Sequence, residues 1–521
     1  MIILAAFLLL VYCWFPTKNH YWDGIGFALN IEGLGEDSQG VVRNQGDFRG
    51  LSSIYFNPNH LFYNLIGYLL YKPLHYALPN LRALEMLRAI STLLSVGTAC
   101  LLFLSLHRWS RNIGLSVWLT LLMALSATWW KFSTDADAYV PSTFLLMLAT
   151  YLTTDPIRRP SGWKIGLLHA LSMLLHQIAI GFMPAALVAL WSHPYWLERS
   201  ERKRAVLEYL LAAGVPVLGA YVWVWFGGFD NSRSSSQFLT WLTSNGGDTL
   251  AFQSFGVNML ESLRSLLRVF FGGRISLAMT FVEVPLLFVL VAAMAYGVVQ
   301  FLLGVGRALI ARNPSPRNST EPALPDTRFL TIWAGVFTVF LFFWLTEYPY
   351  YRLFCLPAMI FLIGALIRPR ESLHGPTDYV PKPLLAFVVF MAAFNFATYI
   401  YPYSQPEATP PILLGMRAST IVKGDAVILY KDFTCDNWIM RYFNPRTTWI
   451  RANFDDREAL AGSLRKAFSK DQSVWVDTTL LGQLNTIPEM QAWLLQQAVM
   501  SEPWGLVNKK HHIQFAQLVP R

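Results

Sequence analysis

Eleven apolar stretches recur along this chain, at about 1–16, 84–106, 113–130, 139–154, 163–175, 178–192, 205–226, 281–304, 329–346, 353–367 and 383–402. A hydrocarbon core of ~30 Å calls for helical stretches of this kind. Composition agrees with them: of 521 residues 54% are hydrophobic and 14% charged, against roughly 25% charged in a soluble chain. The first sixteen residues lack a basic n-region and a small-residue cleavage site, so they read as a retained span. The expected fold class is an all-α polytopic membrane domain of about eleven transmembrane helices over 1–403. A small C-terminal α/β domain follows over 404–521.

The net charge of +9 sits in particular loops between the stretches and forms no basic stripe interleaved with aromatics. That excludes nucleic acid as a partner and makes membrane lipids the surroundings of the chain. Arg108 and Arg111; Arg158, Arg159 and Lys164; Arg199, Arg202, Lys203 and Arg204; Arg307, Arg312, Arg317 and Arg328; and Arg368, Arg370 and Lys382 fall in alternate loops. By the positive-inside rule those loops are cytoplasmic, the N-terminus is inside, and the long loops and the tail are outside. The first outer loop, 17–83, is acidic, with Asp23, Glu32, Glu36, Asp37 and Asp47. Two outer segments, 58–77 and 249–272, are apolar yet would break the alternation if they crossed, so they read as amphipathic interfacial helices. Four cysteines with no CxxC or Cys/His cluster suggest neither a disulfide framework nor zinc.

In the tail, 425–430, 447–450 and 473–476 read as strands, and 437–443 and 455–468 as helices. Strands alternating with helices suggest a small α/β unit. It carries no GxGxxG and no P-loop, so a scaffold or acceptor-docking role fits better than nucleotide binding.

Polar residues that could carry chemistry gather at the outer ends of spans. Asp23, beside His20, Tyr21 and Trp22, is either a partly desolvated base or part of an interfacial anchor. Asp135 and Asp137 form a D-x-D at the outer end of the third span, able to hold a divalent metal, to orient an acceptor, or simply to be solvated. His176 interrupts an apolar run at a proposed turn, as a ligand contact or as a satisfied buried histidine. Arg352 follows Glu347 in EYPYYRLFCLP, as an ionisable group facing a cavity or as a snorkelling side chain.

This order of features resembles the GT-C superfamily of membrane glycosyltransferases, in layout the protein O-mannosyltransferases and the lipid A aminoarabinose transferases. Those begin with one span and a long outer loop holding a catalytic Asp and an interfacial helix that opens with a Pro-rich motif. Here Asp23 and FNPNHLFYN (56–64), with Asn57 and His60, stand in those places. Arg82 and Arg88, LHRWSRNIG, then Asp135 and Asp137 match the next motifs; His176 matches the basic turn residue, and Tyr351, Arg352 and Pro357 the late aromatic-basic-Pro motif. Asp23 lacks the acidic neighbour of many relatives, His176 stands where Lys is common, no WWD motif is present, and the tail is unlike that of any such family.

The resemblance implies transfer of a sugar from a polyprenyl-phosphate donor to an acceptor lipid, glycan or protein on the outer face, in a bacterial inner membrane. Asp23 and Asp137 would be catalytic, with Asp23 the base. Arg352 and His176 would bind the donor phosphate, and His20, Tyr21, Trp22, Asn57, His60, Asp135, Glu347 and Tyr351 the substrates. The sequence settles no cofactor, and a divalent metal, Mg or Mn, could sit at Asp135 and Asp137. A transporter or flippase for a lipid-linked saccharide, or a polysaccharide polymerase or ligase, is the alternative. No internal repeat of the transporter kind is present.

Overall fold

In the computed structural model the helices follow the apolar stretches closely. Residues 1–34, 56–155, 158–196, 198–226, 238–244, 254–310, 327–367, 381–422, 426–430, 435–451, 457–478, 496, 498–507 and 512–520 are described. Glu36, Asp37, Asp47, Arg312, Arg317, Arg368, Arg370 and the strand start at Asp425 lie outside them.

The first half contains α1 (Ile2–Trp14), α2 (Trp22–Ile31), α3 (Tyr63–Ala77), α4 (Ala83–Ser110), α5 (Ile113–Ala124), α6 (Ala127–Ser133), α7 (Tyr139–Thr153), α8 (Gly162–Leu175), α9 (Met183–Trp191) and α10 (Arg199–Phe226). Then come α11 (Phe238–Ser244), α12 (Phe255–Phe270), α13 (Ile275–Ala278), α14 (Val284–Ile310), α15 (Thr327–Phe343), α16 (Leu356–Ile367), α17 (Lys382–Asn395) and the short α18 (Tyr401–Tyr403). Among the described residues four helical runs are long and apolar enough to cross a membrane: Ala83–Ser110, Arg199–Phe226, Val284–Arg307 and Lys382–Tyr403. Six further apolar helices are shorter, at 10–17 residues.

The stretch 113–130, expected as one straight span, is instead broken between α5 and α6 with a bend of 72°. A break in an apolar surrounding frees backbone carbonyls that must find donors. Asn395 of α17 supplies one, giving its Nδ2 to the Leu125 carbonyl at 3.0 Å, and it also reaches the Phe270 carbonyl at the end of α12 at 2.7 Å. Tyr12 of α1 adds its hydroxyl to the Ala124 carbonyl at 2.8 Å. The bend turns α6 away from the α5 axis, and the loop after it packs against α2 at Ala136 and Gly24.

The two segments expected as interfacial helices are helical, in α3 and α12. Along α12, Asn258, Ser265 and Val269 are buried while Phe255, Leu260, Leu263 and Leu267 are exposed. An apolar outer face with a polar inner one suits a helix against lipid.

The tail begins with α19 (Pro410–Ile421), which the sequence reading leaves unassigned, followed by β1 (Val427–Tyr430), α20 (Cys435–Phe443), β2 (Thr448–Arg451), α21 (Arg457–Ser469) and β3 (Val474–Asp477). The three strands are mutually parallel in the order β2-β1-β3. Beyond the sequence expectation, β6 (His512–Pro520) adds antiparallel to β3, and β4 (Ala498–Met500) and β5 (Trp504–Val507) both pair with β6.

Candidate active site

Asp23 sits in the first turn of α2, and its position depends on two close approaches. Gly24 lies against the Ala136 backbone, where a Cβ would fall inside contact distance of the Ala136 carbonyl oxygen. Gly26 lies against the indole of Trp438, whose ring would stand 3.2 Å from a Cβ. Glycine inside a helix costs about 1 kcal/mol relative to alanine, so two in one ten-residue helix are accounted for by what they admit. One admits the loop carrying Asp135 and Asp137; the other admits the C-terminal domain.

Asp135 is fully buried, and both its oxygens are taken. Oδ1 accepts from His20 Nδ1 at 3.0 Å and from the Ala136 amide at 2.9 Å. Oδ2 accepts from the Tyr21 amide at 2.9 Å and from Lys131. Burial alone would raise its pKa, but Lys131 and His20 outweigh it and hold the carboxyl well below its usual range. Lys131 is also stacked 4.0 Å from the Phe132 ring. This lysine is absent from the sequence-based candidates, although its i,i+4 spacing to Asp135 in KFSTDAD was a readable signal.

Asp137 is buried beside Asp23. Its Oδ1 accepts from the Ala138 amide at 2.6 Å, while Oδ2 is buried with no hydrogen-bond partner. Burial, then repulsion from Asp23 and Asp135, push its carboxyl far above the usual range. For Asp23, burial raises the pKa, Lys131 opposes it and Asp135 adds to it, with a result of about 6. Two carboxylates in one environment thus resist simultaneous ionisation.

A run of rings continues the wall. Tyr21 meets Tyr350 hydroxyl to hydroxyl; Tyr350 lies 5.1 Å from Tyr139, Tyr139 5.1 Å from His176, and His176 4.4 Å from His60. Tyr351 stands edge-on to Tyr139 at 5.6 Å and to His176 at 5.9 Å. Tyr139 and Tyr350 are further residues that sequence reasoning missed, because tyrosine at an apolar helix end carries no pattern of its own.

His176 terminates α8 in extended backbone, as the proposed turn required. Its Nδ1 accepts from the Ile178 amide at 3.3 Å, which places the proton of the neutral ring on Nε2. That Nε2 is buried without a partner. Burial and the neighbouring His60 push its pKa well below the usual value, so the ring is a neutral donor. His60 itself donates Nδ1–H to the Leu175 carbonyl at 3.1 Å.

Arg352 is 3% exposed on the 3-10 turn Pro349–Phe354. Its Nε donates to Ser265 Oγ at 2.9 Å and Nη2 to Ser262 Oγ at 2.8 Å, both on α12. Among the described residues it makes no ion pair with a carboxylate. The remaining candidates are peripheral: Glu347 and Trp22 are exposed, and Asn57 caps its own turn by accepting from the Asn59 amide at 2.9 Å. Among the described residues no group of three or more His, Cys, Asp or Glu is placed to hold a metal ion.

No family model matches the chain, and no curated protein matches it in sequence. In fold it is similar to ArnT from Cupriavidus metallidurans in the apo state, with a TM-score of 0.57 and 11% identity, covering 99% of this chain and 97% of that one. It is likewise similar to the crystal structure of ArnT from Cupriavidus metallidurans bound to undecaprenyl phosphate, with a TM-score of 0.54 and 10% identity over 99% and 97% of the two chains. The likeness establishes the fold.

Proposed function

We propose that this chain is a membrane glycosyltransferase of the GT-C type, moving a sugar from a polyprenyl-phosphate donor to an acceptor at the outer face. The observation that carries the reading is the whole-length fold likeness to a protein solved with undecaprenyl phosphate bound. The resemblance of the sequence to aminoarabinose transferases points the same way.

The chemistry of the residues suits that reaction. Asp23, with a pKa near 6, is ionised at neutral pH yet desolvated enough to take a proton from the acceptor as it attacks the anomeric carbon. Asp137, with one oxygen unpartnered, is the second carboxyl of the pair and can hold an acceptor hydroxyl or the shared proton. Asp135, saturated by four donors, is better read as the fastening of the site than as a substrate or metal contact.

On the donor side, a buried guanidinium whose side-chain partners among the described residues are two serine hydroxyls is costly unless an anion joins it. A lipid phosphate brings that anion, and Arg352 would stabilise the charge left on it as the sugar departs. His176 would add a neutral Nε2–H to the same group. The apolar faces of α10, α12 and α14 leave room for a polyprenyl tail among lipids.

The test is transfer of label by the purified protein from undecaprenyl-phosphate-linked sugars to a membrane extract. Transfer supports the reading; vesicle-to-vesicle movement of the intact donor without transfer would replace it with the flippase alternative.

A further inference from the structure

Helix α2 is gripped from two sides, and Asp23 projects between them. With 3.6 residues per turn, Gly24 lies about 100° round the helix from Asp23, and Gly26 about 60° round in the opposite sense. The Asp135–Asp137 loop occupies the Gly24 side and the Trp438 indole the Gly26 side. Trp438 is half-buried.

The helix that carries Trp438 is firmly held. Arg82, at the N-terminus of α4, donates Nε to both Glu32 oxygens at 3.0 Å and Nη2 to Glu32 Oε2 at 2.8 Å. The same Nη2 reaches the Tyr442 carbonyl at 2.7 Å, and the guanidinium stacks 4.1 Å from the Tyr442 ring. Tyr442 Oη accepts from the Leu84 amide at 3.3 Å. Glu32 closes α2, so one arginine ties the end of α2, the start of α4 and α20 together.

We propose that the C-terminal domain is a working part of the site: Trp438 is a wall beside Asp23 for the apolar C–H face of a sugar ring, kept there by the Arg82–Tyr442 clamp. The inference rests on the sugar-transfer reading. An indole one helical turn from a carboxylate base offers a flat apolar surface next to the reacting hydroxyl, which is what a pyranose or furanose ring presents a face to. It also gives the tail a role that its small sheet does not suggest.

The experiment uses the full-length protein in lipid nanodiscs, comparing wild type with Trp438→Ala, Trp438→Phe and Tyr442→Ala. Hydrogen–deuterium exchange over residues 20–33 reads the grip on α2 whatever the activity. Exchange at least tenfold faster in Trp438→Ala and Tyr442→Ala is expected, with Trp438→Phe close to wild type. With an undecaprenyl-phosphate-linked sugar, transfer by Trp438→Ala should fall at least tenfold, chiefly in KM, and Trp438→Phe should recover most of it. Unchanged exchange overturns the proposal, as does faster exchange with wild-type transfer. A wild type that transfers from no such donor, yet shows the exchange effect, sinks the sugar-transfer reading and the stacking role with it, leaving only the mechanical grip on α2.

Discussion

Asp135 accepts the backbone N–H of Tyr21 at 2.9 Å, so a residue 114 positions downstream fixes the first turn of the helix that carries Asp23. The same carboxylate binds His20 and Lys131. A single buried anion therefore ties the first outer loop to the loop after α6, and the D-x-D divides its labour: Asp135 fastens, and Asp137 is buried within electrostatic reach of Asp23.

That division sets the pH dependence. Asp23→Asn keeps shape and removes the base, so kcat should fall about 10²–10⁴-fold with expression unchanged. In the wild type, kcat/KM should rise with pH to a plateau above about 6, as the Asp23–Asp137 pair loses its first proton. Lys131 lowers the Asp23 pKa and Asp135 raises it. Lys131→Met should therefore move the acid limb to higher pH and Asp135→Asn to lower pH. A pH–rate profile of each variant checks the signs; shifts in the same direction would count against Asp23 as the titrating base.

Gly24→Ala offers a test in which two effects oppose. Helix propensity alone favours alanine by about 1 kcal/mol. The new Cβ would meet the Ala136 carbonyl, a backbone atom that cannot rotate away, and overpacking of this kind costs about 1–3 kcal/mol. The variant should melt lower than wild type and transfer at least tenfold more slowly. A raised melting temperature with normal turnover would mean that the loop yields freely.

How much of this was legible in the chain can be argued residue by residue. Apolar runs mark helices because an apolar stretch has few other ways to satisfy its backbone in lipid, and the break at His176 was visible as a polar interruption. The break at 125–126 was not, since the donor that permits it, Asn395, lies 270 residues away. Asp23 and Asp137 could be proposed singly from sequence. Their adjacency could not, because it depends on Gly24, which lets the loop carrying Asp137 pack against the helix carrying Asp23. The antiparallel β4–β6 were missed although β6 runs to nine residues, because no regular alternation with helices marks that part of the tail as it marks β1–β3.

Topology is open to a direct test. Basic loops alternate with non-basic ones along the chain, and the positive-inside rule then predicts that the Asp23 site faces outside. A reporter active only in the cytoplasm should work when fused after Arg204 or Arg317 and be silent after Gly247 or Arg521. Activity of the C-terminal fusion would invert the orientation and put the site on the wrong face for an outer-leaflet donor.

Arg352 decides the donor half of the reading. Its guanidinium is buried against Ser262 and Ser265, two neutral partners that orient the fork without cancelling its charge. A phosphate binding there would gain a charge-assisted contact at little cost in ordering, because the side chain is already placed. Arg352→Lys keeps the charge but loses the planar fork, so it should weaken binding of undecaprenyl phosphate. Arg352→Ala should cost more, about 1.5–3 kcal/mol. His176→Ala should lower the transfer rate more than the affinity, since a neutral donor matters most when charge develops on the departing phosphate. Titration of undecaprenyl phosphate against each variant, beside the maximal rate of transfer, separates the two roles. Wild-type affinity and rate in both alanine variants would place the phosphate elsewhere and leave Arg352 as a structural tie between α12 and the Pro349–Phe354 turn.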